Sequence, residues 1–377
     1  MDTFPETQLI TSAAQLPPVL AASVSTEERV LIEKFEIQGF PFAVTPHFAS
    51  LAGPEREDPV RRQFMPDPLE ESVDPFALDD PLGEEQYRLA PRLVHQYQDR
   101  ALLLAGGSCA GFCRYCFRRH RMPGFRKPDL RNSRPEKEAA FISTEELERV
   151  LACLETRPAI REILVSGGDP LTAGDDTLEE LFVKLRKARP DLHIRLCSRI
   201  PITNPARLTP ETISLLARFK PIRIATHINH PRELDGAART VLAAAAEAGI
   251  PVLVQTVLLR GINDNAETLA SLFRECLSLG ISPYYLFQLD LAPGTAHFRV
   301  PLKDGLAVYR DLEHLFDGPG LPAYALDLPG GGGKIHLNES VITGEEDSPR
   351  GRVYLLKDKD KKLWKYPVDK CVANYAL

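Results

Sequence analysis

From residue 100 onward, short apolar runs alternate with stretches whose apolar residues recur every three or four positions. Six runs read as buried strands: Ala101–Ala105, Glu162–Val165, His193–Cys197, Ile222–Ala225, Pro251–Val257 and Tyr284–Leu289. They are too short for core helices and lack the strict alternation of a half-exposed strand. Helical periodicity fills the gaps, over Thr144–Glu155, Leu178–Ala188, Thr209–Phe219, Leu234–Ala248 and Ala266–Leu279, and Leu302–Leu315 follows the last strand. Ser143-Thr-Glu-Glu and Thr209-Pro-Glu are N-terminal caps, whose hydroxyls can take the first unpaired amides. Strand–helix alternation predicts an α/β fold with a parallel sheet and right-handed crossovers. Six units predict a partial, TIM-like (β/α)6 barrel rather than the closed eightfold one.

The two ends of the chain follow other patterns. Thr26–Phe35 reads as a capped helix, whereas residues 51–85 are rich in proline and acids and read as extended wrapping with short helices. Near the C-terminus, Val353-Tyr-Leu-Leu356 and Leu363-Trp-Lys-Tyr366 flank a charged turn, Lys357-Asp-Lys-Asp360, and predict a hairpin. The expected division is an N-terminal wrapping segment (1–95), a barrel core (96–320) and a C-terminal loop and hairpin (321–377).

Composition narrows the function. The chain has 377 residues, 44% of them hydrophobic, enough for a large core. Its formal charge of −6 gives no reason to expect a nucleic-acid partner. No apolar run reaches the ~18 residues of a membrane span, and no basic, then apolar, leader opens the chain. Seven cysteines, an odd number, form no disulfide framework, so a reduced, cytoplasmic setting is expected.

Parallel barrels carry their chemistry at the C-terminal ends of the strands. After the first strand comes a cysteine loop, and after the second Ser166-Gly167-Gly168-Asp169. The third is followed by Ser198-Arg199 and the fourth by Thr226-His227; the fifth contains Gln255, and the sixth ends in Gln288-Leu-Asp290. Polar groups at all six ends predict one shared pocket.

The cysteine loop is Cys109-Ala-Gly-Phe-Cys113-Arg-Tyr-Cys116. Three thiolates without a fourth suit an iron–sulfur cubane with one open iron, because ordinary zinc and cluster sites take four ligands. A zinc knuckle with a distant fourth ligand and three unrelated core cysteines are the alternatives. Further on, Gly330-Gly-Gly-Gly333 precedes Lys334. Such a loop lets the backbone approach a ligand and frees N–H groups for an anion. The lysine reads as a phosphate-binding charge or a Schiff-base former for pyridoxal 5′-phosphate, and a surface turn is the bland reading.

Over roughly residues 40–350 the chain resembles the lysine 2,3-aminomutase family of radical S-adenosylmethionine enzymes. The likeness runs through His95-Gln-Tyr97-Gln-Asp99-Arg100, the cysteine loop with Arg118, Ser166-Gly-Gly-Asp169-Pro-Leu and Ser198-Arg199-Ile-Pro201. It continues in Thr226-His-Ile-Asn-His-Pro231, Gln255 to Asp264, Pro283 to Asp290, and Pro329 to Lys334. The resemblance implies a [4Fe-4S] cluster on Cys109, Cys113 and Cys116, S-adenosylmethionine chelating the open iron, and pyridoxal phosphate bound covalently by Lys334. It implies that Tyr97, Arg100, Gln255 and His227 lie at the cofactors, and that Ser166, Gly167, Gly168 and Asp169 meet the methionyl end. Arg118 would bind the substrate carboxylate, and Asp290 and Asp327 would clasp a distant ammonium. It further implies L-lysine to β-lysine chemistry, a flavodoxin- or ferredoxin-type electron donor and a homo-oligomer. Arginine or ornithine is the alternative substrate, and β-lysine formation for elongation factor P modification the alternative role.

Some positions depart from the lysine enzymes. Asn265 stands where zinc-binding members have cysteine, and only Cys371 remains near the C-terminus, so no structural zinc is expected. Gln96 replaces an arginine. The stretches Cys116–His120 and Leu259–Asn265 are similar to a bacterial relative that makes β-lysine for elongation factor P. A radical enzyme of another kind, using Lys334 only structurally, is the alternative of a different class.

Overall fold

The computed structural model describes residues 9–38, 40–121, 141–316 and 318–368. Ten strands form one sheet in chain order. They are β1 (Arg88–Ala90), β2 (Leu93–Tyr97), β3 (Arg100–Gly106), β4 (Glu162–Gly167), β5 (His193–Cys197), β6 (Ile222–His227), β7 (Val252–Leu258), β8 (Ser282–Gln288), β9 (Ala323–Leu328) and β10 (Gly333–His336). Strands β3 to β9 run parallel, while β1, β2 and β10 pair antiparallel at the two edges. Among the described residues β1 does not pair with β10, so the barrel stays open.

All six predicted strands form, with boundaries moved by at most two residues. The structure adds a seventh parallel strand. β9 follows Gly318-Pro-Gly-Leu-Pro322, a stretch that breaks the helical pattern and hides the short apolar run behind it. The sheet therefore crosses both expected domain boundaries, with β1 from the wrapping segment and β9 and β10 from the C-terminal one. The intervening helices, such as Thr144–Glu155 and Asp175–Ala188, bury one face each: Leu147, Val150 and Leu154 on the first, Leu178, Leu181, Phe182 and Leu185 on the second.

Near the N-terminus, helix Thr26–Gln38 starts at a reciprocal cap in which Glu28 N–H donates to Ser25 Oγ and Ser25 N–H donates to Glu28 Oε2. Glu28 also meets Arg61 at 2.7 Å in a buried pair. The same layer grips the cysteine loop. Arg114, fully buried between Cys113 and Cys116, donates to Glu70 Oε1 at 2.8 Å and to the carbonyls of Phe40 and Pro41 at 3.1 and 2.8 Å. A buried guanidinium needs all of these partners to offset its lost hydration.

After β10 the chain forms a separate three-stranded antiparallel sheet of β11 (Ile342–Ser348), β12 (Gly351–Lys357) and β13 (Leu363–Pro367). The expected hairpin is β12 with β13, Tyr354 opposite Tyr366. The polar edge strand β11 gave no sequence signal. Cys109, Cys113, Cys116, Cys153, Cys197 and Cys276 form no disulfide, and Cys371 lies outside the described residues. Among the described residues no helix is long and apolar enough to cross a membrane.

Candidate active site

All fifteen sequence-selected residues line one cavity of about 330 Å³ at the C-terminal ends of the parallel strands. At one end Cys109, Cys113 and Cys116 follow β3 on a loop whose Cys116 N–H donates to Cys113 O at 3.0 Å. Gly167 and Gly168, leaving β4, press against this loop. Gly168 N–H donates to Gly106 O and Asp169 N–H to Ser108 O, both at 2.7 Å, and a Cβ on either glycine would strike those backbone atoms. The glycines are therefore required by close backbone approach, with Gly167 also at φ +116°. Asp169 is buried, and its carboxylate accepts from the backbone of Leu171, Arg199 and Ile200 at 3.0, 2.8 and 3.2 Å. It holds the loop and the start of the next element.

Two of the thiols, Cys109 and Cys116, titrate high. Burial pushes Cys109 well above the usual range, helped by Asp169 and the other two thiols, and pushes Cys116 to about 11. Arg199 donates to Cys113 Sγ at 2.9 Å. Among the described residues no three His, Cys, Asp or Glu side chains converge on a single ion position. A four-iron cluster has no such need, because each thiolate binds a different iron. Three thiols facing one cavity therefore suit a cluster better than a lone ion.

At the other end β9 and β10 form a hairpin whose turn is the glycine run. Lys334 and Asp327 are direct cross-strand partners, and Lys334 Nζ donates to Asp327 Oδ2 at 2.5 Å. The ammonium also lies 4.0 Å from the Phe287 ring and 5.0 Å from that of Tyr285. Tyr97 Oη accepts from Lys334 N–H at 3.0 Å, and the Arg100 guanidinium stacks 4.2 Å over the Tyr97 ring. Asp290 is half-buried beyond β8; burial, and then the neighbouring Asp327, push it up to about 8. His227, at the end of β6, is pushed down to about 4 by burial and then by Arg199. Among the described residues its Nδ1 is buried without a protein partner, which suits a bound ligand at the cavity wall.

The glycine loop corrects one expectation. Gly330 N–H donates to Pro81 O at 2.8 Å and Gly332 N–H to Leu328 O at 3.2 Å, so those two amides are not open to an anion. The loop is instead packed from outside. Tyr87 Oη and Gln96 Nε2 donate to Gly331 O at 2.8 and 3.1 Å, and a Cβ on Gly332 would meet the Trp364 ring at 2.8 Å. Gln96 thus braces the loop that carries Lys334.

Arg118 lies between the two ends. Its Nε and Nη2 donate to Glu84, at 3.2 and 2.5 Å, while Nη1 is 3.5 Å from Ser166 Oγ. Sequence reasoning missed Glu84. It lies in the acidic, proline-rich segment read as wrapping, where Gly83-Glu-Glu85 looks solvated; only its burial marks it. Cys197, at the end of β5, also lines the cavity, although no motif marks it in the sequence.

Residues 104–273 match the Radical SAM superfamily. A protein of Treponema pallidum (strain Nichols) with a provisional L-lysine 2,3-aminomutase name is 49% identical over 278 residues, 74% of this chain and 75% of that protein. The L-lysine 2,3-aminomutase of Clostridium subterminale is 36% identical over 310 residues, 82% of this chain and 71% of that one. That of Bacillus subtilis (strain 168) is 33% identical over 363 residues, 96% and 73% of the two chains. Among solved structures, Streptococcus suis SuiB bound to S-adenosylmethionine gives a TM-score of 0.45 at 14% identity, covering 62% of this chain and 51% of that one. At that score the fold assignment rests on the strand order rather than on the likeness. The superfamily match and the extent of the aminomutase identity together make this chain a member of the lysine 2,3-aminomutase family, a radical S-adenosylmethionine isomerase whose family implies a [4Fe-4S] cluster.

Proposed function

We propose that the chain moves the α-amino group of L-lysine to C3, giving β-lysine, with pyridoxal phosphate attached at Lys334. The observation that carries this reading is the group Asp290, Asp327 and Lys334 in the same cavity as the three cysteines. When bound, the cluster with S-adenosylmethionine supplies radical chemistry, and pyridoxal phosphate supplies the carbonyl that holds the migrating nitrogen.

The protein groups then have separable tasks. Cys109, Cys113 and Cys116 would hold a cluster and leave one position for the methionyl end, near Ser166 to Asp169 in the same cavity. Asp327 Oδ2, 2.5 Å from Lys334 Nζ, is placed to take the proton that Lys334 would give up at the cofactor and to pass it on to solvent, leaving the carboxylate charged. With Lys334 uncharged there, whether holding the cofactor or displaced from it by the substrate amine, Asp290 and Asp327 would lack a cation. A lysine ε-ammonium restores it, whereas a glutamate side chain would be repelled. Arg118 would bind the substrate carboxylate, and Tyr97, Arg100, Gln255 and His227, which line the same cavity, would hold the phosphate-bearing cofactor. The required electron is assigned to a flavodoxin- or ferredoxin-type donor.

The test is anaerobic incubation of the reconstituted enzyme with a panel of amino acids and mass analysis of the products. Lysine is expected to give β-lysine, and borohydride reduction is expected to fix the pyridoxyl group on Lys334. Turnover of arginine in place of lysine would keep the acidic pocket and change the substrate; isomerisation of no amino acid would overturn the proposal.

A further inference from the structure

The segment that carries Glu84 is tied to the glycine loop at several points. Gly330 N–H donates to Pro81 O at 2.8 Å, Gln86 Nε2 donates to Gly330 O at 3.0 Å, and Tyr87 Oη to Gly331 O at 2.8 Å. Gly83, at φ +62°, lies so close that a Cβ there would sit 2.7 Å from Gly330 C and 2.8 Å from Gly331 N. The backbone on either side of Glu84 is therefore fixed against the hairpin that bears Lys334. The Glu84 side chain turns the other way, into the cavity wall, and is only 4% exposed.

A guanidinium offers a carboxylate two bidentate edges, one through Nε and Nη2 and one through Nη1 and Nη2. Glu84 occupies the first. Both its oxygens lie 3.2 Å from Arg118 Nε, and Oε1 accepts from Nη2 at 2.5 Å. Among the described residues Nη1 has only a long contact, 3.5 Å, to Ser166 Oγ at the end of β4. Arg121 approaches Glu84 at 3.8 Å and supplies a second cation, so the Glu84 charge is shared rather than spent on Arg118 alone.

We infer that Glu84 is a positioning residue for the substrate carboxylate: it fixes the Nε/Nη2 edge of Arg118 and thereby aims the Nη1 side at the amino acid. This rests on the reading of Arg118 as carboxylate anchor. Because the Glu84 segment is pinned to the hairpin of Lys334, the distance between the carboxylate anchor and the cofactor lysine is set by one short stretch of chain. The opposite view makes Glu84 a stand-in that occupies Arg118 until substrate displaces it. The two views predict effects of opposite sign.

The experiment titrates the pyridoxal-loaded protein, without S-adenosylmethionine, with L-lysine and with L-lysinamide, following the pyridoxal absorbance. Lysinamide keeps both amines and replaces the carboxylate by a neutral carboxamide. Glu84→Gln is expected to weaken lysine binding about tenfold, the order of one charge-assisted hydrogen bond, and to leave lysinamide within about twofold. Cluster iron and S-adenosylmethionine binding stay at native levels. Glu84→Asp, which keeps the charge but withdraws the carboxylate by one methylene, carries the same test where Glu84→Gln does not fold. Tighter lysine binding by Glu84→Gln would identify a competitor and overturn the inference, as would unchanged binding. Arg118→Gln separates the two layers of the argument. If it weakens lysine alone while Glu84→Gln does not, only the role of Glu84 falls; if it weakens neither ligand, the anchor reading falls and takes the inference with it.

Discussion

The two ends of the cavity are built in different ways. At one end Cys109, Cys113 and Cys116 ride on a single loop, held from outside by Arg114 and from below by the backbone of Gly167 and Gly168. From the middle of the cavity to the other end, Glu84, Tyr97, Arg118, Asp290, Asp327 and Lys334 come from widely separated segments and are held largely by one another, through the Arg118–Glu84 and Lys334–Asp327 pairs. The first end depends on backbone fit and, on the proposed reading, on a fixed count of ligands. The second depends on a balance of charge, in which each side chain has partners that can shift. Damage at the cysteine end should therefore be all-or-none, and damage at the lysine end graded.

The largest expected effect tests the all-or-none side. Replacing any one of Cys109, Cys113 or Cys116 with Ala should abolish cleavage of S-adenosylmethionine and remove most of the iron, because two thiolates cannot hold the cubane. Cys153→Ala and Cys276→Ala, both in helices away from the cavity, should keep cluster and cleavage, with any loss appearing as lower thermal stability. Full iron and activity in one of the three loop variants would break the comparison at its firmer end.

A graded response should appear at Asp290 and Asp327. Removing one carboxylate leaves a desolvated substrate ammonium half-paired, at a cost on the order of 2–5 kcal/mol. That corresponds to roughly 30-fold to several-thousand-fold in binding or rate. Asp290→Asn should lose lysine turnover while keeping cluster iron and S-adenosylmethionine binding. Asp327→Asn should lose more, because Asp327 also faces Lys334 Nζ across the hairpin. Steady-state kinetics on lysine with both variants checks the order, and normal turnover by both would remove the two-carboxylate model.

The same contrast explains what could be read in the sequence. The cysteine end was legible because its ligands are contiguous, and its six strands because buried parallel strands appear as unbroken apolar runs. The lysine end was legible only in part. Asp290 follows a clear strand and Lys334 follows four glycines, but the strand that carries Asp327 is short and hidden behind a Gly-Pro stretch. The Lys334–Asp327 pairing needs the register of a hairpin that was read as a loop. Glu84 was invisible for a physical reason: a charged residue in an acidic, proline-rich segment is normally solvated, and only the approach of Arg118 and Arg121 from elsewhere in the chain makes its burial tolerable. Charge pairs made over long sequence distances leave no local pattern.

The smallest expected effect sharpens the charge balance itself. In the cofactor-free protein, burial and then Asp327 push Asp290 from an ordinary 3.8 up to about 8. A carboxyl raised in the folded state contributes its full stability only below the unfolded value. That contribution is lost as pH rises from about 4 through about 8, because the unfolded chain releases the proton first. Asp290→Asn removes the titration and keeps the shape. The variant should therefore gain on the native protein as pH rises, with little difference near pH 4 and a higher melting temperature near pH 8.5. For a chain of this size a shift on the order of 2 °C per kcal/mol is the scale to resolve. Adding a cation to the site should erase the difference. On the proposed reading, saturation with lysine in the pyridoxal-loaded protein would place an ammonium beside Asp290, so the carboxylate would be favoured and the native protein should regain stability relative to Asp290→Asn at high pH. A melting difference that stays constant across pH, with and without lysine, would show that Asp290 does not carry the balance of charge at this end of the cavity.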